Sequence, residues 1–401
     1  MMRYAAMLLA ALALAGCQEK LTAPADCPTL CPGGQPQIFD EVFTATPGAD
    51  SSYSGYVLPH QARSLLVSNG LEGFEERALF RFLSRTDSVS VRDTLRGYTI
   101  DSVALSFTVA ARDTNVNGLE LWVYRTATSL DSSTTFADVA PAFVPENLIA
   151  AVPIPDTLNS GVVRTVFQGA DLSRVQISPG DSGRLAVGVR LSAPSFTGVR
   201  LGAIAGGARA LFTTYVTLDV PDTGAAKLRT LALGATFNTY VSEVPQVGDP
   251  TLLAVGGTPS SRSLLRFSLP PRILDSATIV RATLEFTPTA PISGLPTDAV
   301  LLEARSVLAD VGAKSPVNNV PIRVAADTLE LGSTTISMEA VLLVELWLGS
   351  ARPSALVLAL TGAVEGASFT KPVFYSTRAA DPAVRPRLRL SYLLPFPFET
   401  P

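Results

Sequence analysis

Few residues of this chain are equipped for chemistry, and their identities narrow what it can do. Of 401 residues one is a histidine, His60, three are cysteines, Cys17, Cys27 and Cys31, and four are lysines, at 20, 227, 314 and 371. His60 lies in Val57-Leu-Pro-His-Gln-Ala62 with no second histidine for a metal pair. Neither a Gly-x-Ser-x-Gly nor a marked cysteine nucleophile accompanies it, so no Ser-His-Asp or Cys-His relay is announced, and it reads as an exposed loop residue. A glycosidase needs only two carboxylates roughly 5–10 Å apart. Glu72, Glu75 and Glu76 offer such pairs, in a loop-like stretch that reads as solvated surface. The chain is therefore read as a non-enzyme that needs no cofactor.

Three other groups of residues could bind. Asp113-Thr-Asn115-Val-Asn117-Gly118 spaces its oxygens like the opening of a calcium loop. The match stops at Tyr124, where such a loop has Glu, and Asn117-Gly118 between alternating runs is also a hairpin signal, so a plain turn and a weak calcium site both stand. Arg385, Arg387 and Arg389 at spacing two predict a guanidinium row on the last strand, with Arg378 nearby. Such a row could grip the carboxylates or sulfates of an acidic polysaccharide, or serve only as a solvated face that discourages edge pairing. Trp122 and Tyr124 share a strand face that could stack on a sugar ring or be covered by a neighbouring domain. Trp347 reads as core.

The N-terminus is an address. Arg3 precedes a small and apolar run from Tyr4 to Ala15, then Gly16 and Cys17, the three parts of a secretory signal. The run is too short to span a bilayer, which takes about 20 residues. Leu14-Ala15-Gly16-Cys17 resembles the lipobox of bacterial lipoproteins, which implies removal of residues 1–16 and lipidation of Cys17; Gln18 in place of Asp then implies the outer membrane. Residues 17–36 read as a flexible tether. Within it Cys27 and Cys31 most simply form one local disulfide in an oxidising compartment.

What must position the candidate sites is a pattern written twice. Ser64-Leu-Leu-Val67 is echoed by Thr251-Leu-Leu-Ala254, Leu79-Phe-Arg-Phe82 by Leu264-Leu-Arg-Phe267, and Asp101–Thr108 by Val280–Thr287. Asp156-Thr-Leu158 is echoed by Asp327-Thr-Leu329, Arg184–Val189 by Ser354–Ala359, and Leu211-Phe212 by Val373-Phe374. Two tandem domains follow, 37–221 and 228–396, joined by the linker 222–227 and ending in a tail at 397–401. Apolar residues alternate with polar ones, as in Leu119-Glu-Leu-Trp-Val-Tyr124, and such runs are bounded by turn residues drawn from 29 Gly and 30 Pro. Period two in short runs means half-buried strands, and many of them without long helical patterns mean an all-β protein of two β-sandwiches. One helix is expected from Met338 to Leu348, where Ala340, Leu343, Val344 and Trp347 share a face.

The order Leu264-Leu-Arg-Phe-Ser-Leu-Pro270, Ala282-Thr-Leu-Glu-Phe286, the Trp347 segment, Ala355–Leu360, Phe374-Tyr-Ser-Thr-Arg378 and Arg385–Tyr392 resembles the DNRLRE (disaggregatase-related) domain family. The resemblance covers nearly all of the second domain and, more weakly, the first, which lacks a tryptophan between Val166 and Pro179. It implies jelly-roll sandwiches of the kind some secreted bacterial proteins use as carbohydrate-binding modules. Charged residues make up only 16% of the chain and the net charge is −4, which excludes the concentrated basic surface a nucleic acid partner requires. The expected function is that of a non-catalytic envelope lipoprotein, held on the membrane through its lipid anchor. Its partner would be a polysaccharide or, alternatively, another envelope protein; a polysaccharide-cleaving enzyme is the least favoured reading.

Overall fold

A computed structural model describes residues 37–70, 75–220, 227–243, 249, 251–258, 260–295, 300–318, 324–349, 354–360 and 364–395. Cys17, Cys27 and Cys31, with the signal, the tether, all of the proposed linker except Lys227, and the tail, lie outside the described residues.

The described residues open with β1 (Ile38–Thr44) and β2 (Ser51–Ser54), then run through β3 (Ser64–Ser68), β4 (Glu76–Phe82), a small hairpin of β5 (Val89–Val91) and β6 (Thr94–Arg96), β7 (Tyr98–Arg112) and β8 (Glu120–Arg125). A short helix, α1 (Phe136–Val139), precedes β9 (Leu148–Pro153), β10 (Gly161–Gln168), β11 (Ala186–Ser192), β12 (Gly198–Gly202), β13 (Leu211–Leu218) and β14 (Leu228–Ser242). There follow β15 (Leu253–Ala254), β16 (Ser261–Leu265), α2 (Pro271–Leu274), β17 (Thr278–Phe286), β18 (Val300–Ser306), β19 (Val324–Leu329) and β20 (Ile336–Glu339). The last elements are α3 (Val341–Gly349), β21 (Leu356–Leu360), β22 (Val373–Phe374) and β23 (Arg387–Leu393). The strands pair antiparallel, as their alternation predicts, and no helix among the described residues is long and apolar enough to cross a membrane.

Two sandwiches result, and they share one pairing diagram. In the first, β10, β7, β13 and the start of β14 form one layer, and the end of β14 with β4, β11, β8 and β9 forms the other. In the second, β20, β17, β23 and β1 form one layer, and β2, β16, β21, β18 and β19 the other. β3 pairs β12 against the end of β7 as β15 pairs β22 beside the end of β17. The repeated sequence is thus a repeated fold, with three amendments: by position Val373-Phe374 matches β12 and β13 matches β23; Ala359 matches Arg190 rather than Val189; and Asp327–Leu329 lies within β19, whereas Asp156–Leu158 follows β9.

The strand pairing also corrects the domain boundaries. β14, assigned by sequence to the second half, belongs to the first sandwich: Thr217 faces Leu228 across a hairpin, and Leu218 donates to the Lys227 carbonyl. Turn residues at 221–226 suit a hairpin and a linker equally, so composition does not separate the two. β1 and β2, assigned to the first half, pair with β23 and β16 of the second. The first sandwich is therefore continuous, 64–242, and lies within a second sandwich built from 38–54 and 253–393.

Each sandwich has its own core between its layers. Phe80, Phe107, Val187 and Phe212 lie in the first, and Phe286, Leu302, Leu358, Leu388 and Trp347 in the second. α3 begins at Val341, three residues after the expected start because Met338 still belongs to β20, but the expected face of Ala340, Leu343, Val344 and Trp347 is the buried one. Leu295, Ala367 and Phe369, from loops of the second sandwich, complete the first core. Tyr240 crosses the same junction, its hydroxyl donating to the Gly366 carbonyl at 2.6 Å.

Candidate functional site

The shared diagram lets equivalent positions be compared. Arg77 of β4 and Arg262 of β16 occupy the same place, each on the outer face of its sheet, each paired with a glutamate and each over an aromatic ring. On the neighbouring strands Arg190 corresponds to Ala359, Trp122 to Glu303 and Tyr124 to Arg305. The face singled out by Trp122 and Tyr124 is thus present in both sandwiches, with different contents.

In the first sandwich this face is capped. Tyr124 is only 3% exposed and packs on Phe143, ring centroids 5.0 Å apart. The Arg77 guanidinium lies 4.3 Å from the Phe136 ring and 4.2 Å from the Phe143 ring. Glu75 ties Arg77 at 2.7 Å and Arg190 at 3.0 Å. Trp122 is half-buried, its indole N–H donating to Glu120 at 2.9 Å. Thr135 caps α1 and fixes the segment that carries Phe136 over the sheet. The expected aromatic platform is therefore closed, since one ring of the pair lies beneath the cap.

In the second sandwich the same face is open. A cleft of about 480 Å³ is lined by Tyr56, Arg262, Glu303, Arg305, Lys314 and Glu365, with Ala359 and Val317 among its apolar contacts. Arg262, Ala359 and Glu303 stand in one row across β16, β21 and β18, and small Ala359 in place of Arg190 leaves the middle of the row hollow. Arg262 grips Glu365 with two hydrogen bonds, 2.6 and 2.8 Å, under the Tyr56 ring at 4.6 Å. Tyr56 donates to the Ala313 carbonyl at 2.5 Å, and burial pushes its phenol pKa up. Arg305 pairs with Glu303 at 2.5 Å. Lys314 stands exposed on the short turn Gly312–Lys314 at the rim. Guanidinium and carboxylate groups together at a concave surface can donate hydrogen bonds to, and accept them from, a polar ligand.

The other candidates are placed elsewhere. Arg387 and Arg389 do share a face, but both turn to Glu285 of β17, at 2.6 and 3.3 Å, and their strand is flanked by β1 and β17, so it has no edge to protect. Arg385 donates twice to the Ala379 carbonyl, and Arg378 pairs with Asp50. Asp113 is buried and accepts from the Asn115 amide and the Thr197 hydroxyl, while Asn115 and Asn117 are exposed; its carboxylate is taken by the turn. Among the described residues no group of three or more His, Cys, Asp or Glu is placed to hold a metal ion. His60 is half-buried on the turn Pro59–Gln61 and stacks on Phe237 at 6.5 Å, so it is not the exposed loop residue expected.

Glu72 lies outside the described residues, and Glu75 and Glu76 are not solvated surface either. Glu76 is 1% exposed at the junction of the sandwiches, where Oε1 accepts from Ser242 at 3.2 Å and Thr258 at 3.3 Å. Burial pushes its carboxyl up to about 8. Its counterpart in the second sandwich is Ser261, which shares a 2.8 Å hydrogen bond with Ser54.

No family model matches the chain, and no curated protein matches it. Among solved structures, the M60 catalytic domain with the CBM51-1 and CBM51-2 domains from Clostridium perfringens ZmpB aligns over 88% of this chain and 39% of that chain, at 6% identity and a TM-score of 0.13. A likeness at that level carries no argument about fold or function.

Proposed function

We propose that this chain is a non-catalytic envelope lipoprotein, anchored through Cys17, whose second sandwich binds polysaccharide in the cleft between Arg262 and Glu303. The observation that carries the reading is the contrast between equivalent faces: the first is sealed by Phe136 and Phe143, whereas the second is left as an open cleft of about 480 Å³ lined by paired charges. The resemblance to DNRLRE domains supports a carbohydrate ligand, and the lipobox supports the anchor.

A glycan array probed with residues 37–401 tests the ligand. Binding lost on Ala359→Trp, which fills the hollow, and retained on Trp122→Ala assigns the ligand to the cleft. Absence of binding to every glycan favours a protein partner, and release of sugar products from a polysaccharide overturns the non-catalytic reading. If Cys17→Ser leaves the protein in the membrane fraction, the anchor is wrong.

A further inference from the structure

The segment that opens the described chain is held by the sandwich farthest from it in sequence. β1 makes seven register pairs with β23, and β2 makes four with β16. Polar locks reinforce them. Glu41 takes two hydrogen bonds from Arg272 and one from the Tyr392 hydroxyl, and buried Asp50 accepts from both the amide and the hydroxyl of Thr377 at 2.8 Å. Ser52 bonds Ala254, Ser54 bonds Ser261, and Ala45 and Phe43 enter the second core. The next residues, Gly55 and Tyr56, still donate to the Ser260 carbonyl, and Tyr56 lines the cleft. The chain then leaves through Leu58–Arg63 to start the first sandwich. These locks all run to residues 254–392, and among the described residues the strand pairings of β1 and β2 are with the second sandwich alone.

We propose that the second sandwich also accepts this segment in trans: a second copy of the chain donates its residues 38–56, and the Tyr56 of the cleft then comes from the partner. Exchange reproduces every contact named above and requires only that the connection extend, which is the physical basis of domain swapping. Six residues at 58–63 reach about 20 Å when extended. The added strand is read through backbone hydrogen bonds, and the side-chain locks set its register. This inference is independent of what the cleft binds.

Ser54 and Ser261 face each other in register with their hydroxyls 2.8 Å apart, which supplies the test. One copy of residues 37–401 carries Ser54→Cys and another carries Ser261→Cys; the two are unfolded together, refolded and oxidised with oxidised glutathione. The expected result is a covalent heterodimer on a non-reducing gel whose yield rises with protein concentration during refolding and drops severalfold when the donor also carries Asp50→Ala. A chain bearing both cysteines should close on itself, which checks the geometry. No heterodimer from the mixed copies while the doubly substituted chain closes overturns the proposal. Should that control not close, light scattering on the refolded unsubstituted chain decides: concentration-dependent dimers support exchange, and monomer at every concentration overturns it.

Discussion

The Thr258 hydroxyl donates to Oε1 of Glu76 at 3.3 Å, so a carboxyl of the first sandwich is partly solvated by a side chain of the second. Ser242 supplies a further hydrogen bond, but neither hydroxyl brings the charge an ionised carboxylate would need in so buried a place. The neutral acid is the form that the junction accommodates.

Stability should therefore fall with rising pH. Folded Glu76 holds its proton up to about pH 8, whereas the unfolded side chain releases it near its ordinary value of 4.5. Between those values the folded state binds the extra proton, so this group costs up to ~1.4 kcal/mol per pH unit, and the loss is complete above about pH 8. Urea unfolding at pH 5 and pH 8 should show a smaller difference in Glu76→Gln than in the parent. Equal slopes would mean that Glu76 ionises normally.

The cap on the first sandwich depends on the absence of a side chain beneath it. A methyl group on Gly188 would fall 2.4 Å from Phe143 Cζ. Gly188→Ala should cost roughly 1–3 kcal/mol through overpacking, lift Phe143 from Tyr124, and make Tyr124 accessible to a collisional quencher. Unchanged melting and quenching would show that the segment yields freely.

Phe369 joins the two bodies, since it is 3% exposed and sits in the first core although it belongs to a loop of the second sandwich. Phe369→Ala should remove about 3–5 kcal/mol. Calorimetry should show one transition separating into two as the sandwiches lose their coupling; one sharp transition at the parent temperature would refute this role.

The corrected boundaries predict which fragments fold. Residues 57–243 contain every strand of the first sandwich and should melt cooperatively, though at a lower temperature than the whole chain because Leu295, Ala367 and Phe369 are missing. Residues 37–221 lack β14 and carry β1 and β2 without their acceptor, so they should show no cooperative melt by circular dichroism. A stable 37–221 fragment would contradict the strand assignment.

The order of strands was legible in the sequence because alternation and the repeated runs are local properties. The boundaries were not, because the residue types at 221–226 suit a strand connection as well as a linker, and because β1 and β2 precede the stretch over which the copies align. The cleft escaped notice for a related reason: Arg262, Glu303 and Glu365 meet only when β16, β18 and a loop after β21 are brought together. One signal was available, the arginine shared by Glu76-Arg77-Ala and Ser261-Arg262-Ser. Repeat positions where one copy has Trp122 and Tyr124 and the other Glu303 and Arg305 then mark where the copies diverge. Glu285, set across the strands from Arg387 and Arg389, could not be found from spacing along one strand.

Ile38 lies opposite Leu393, so the first and last strands of the described residues are neighbours. When residue 37 is pulled against residue 395, the load enters at that one end of an antiparallel pair whose hydrogen bonds run perpendicular to the strands, so they are loaded one after another rather than together. The piece released first is then β1 with β2, a slack of about 60 Å for 17 residues, while 64–242 keeps its shape. Single-molecule pulling between residues 37 and 395 should record that short extension before any larger one, making the opening segment a mechanical fuse.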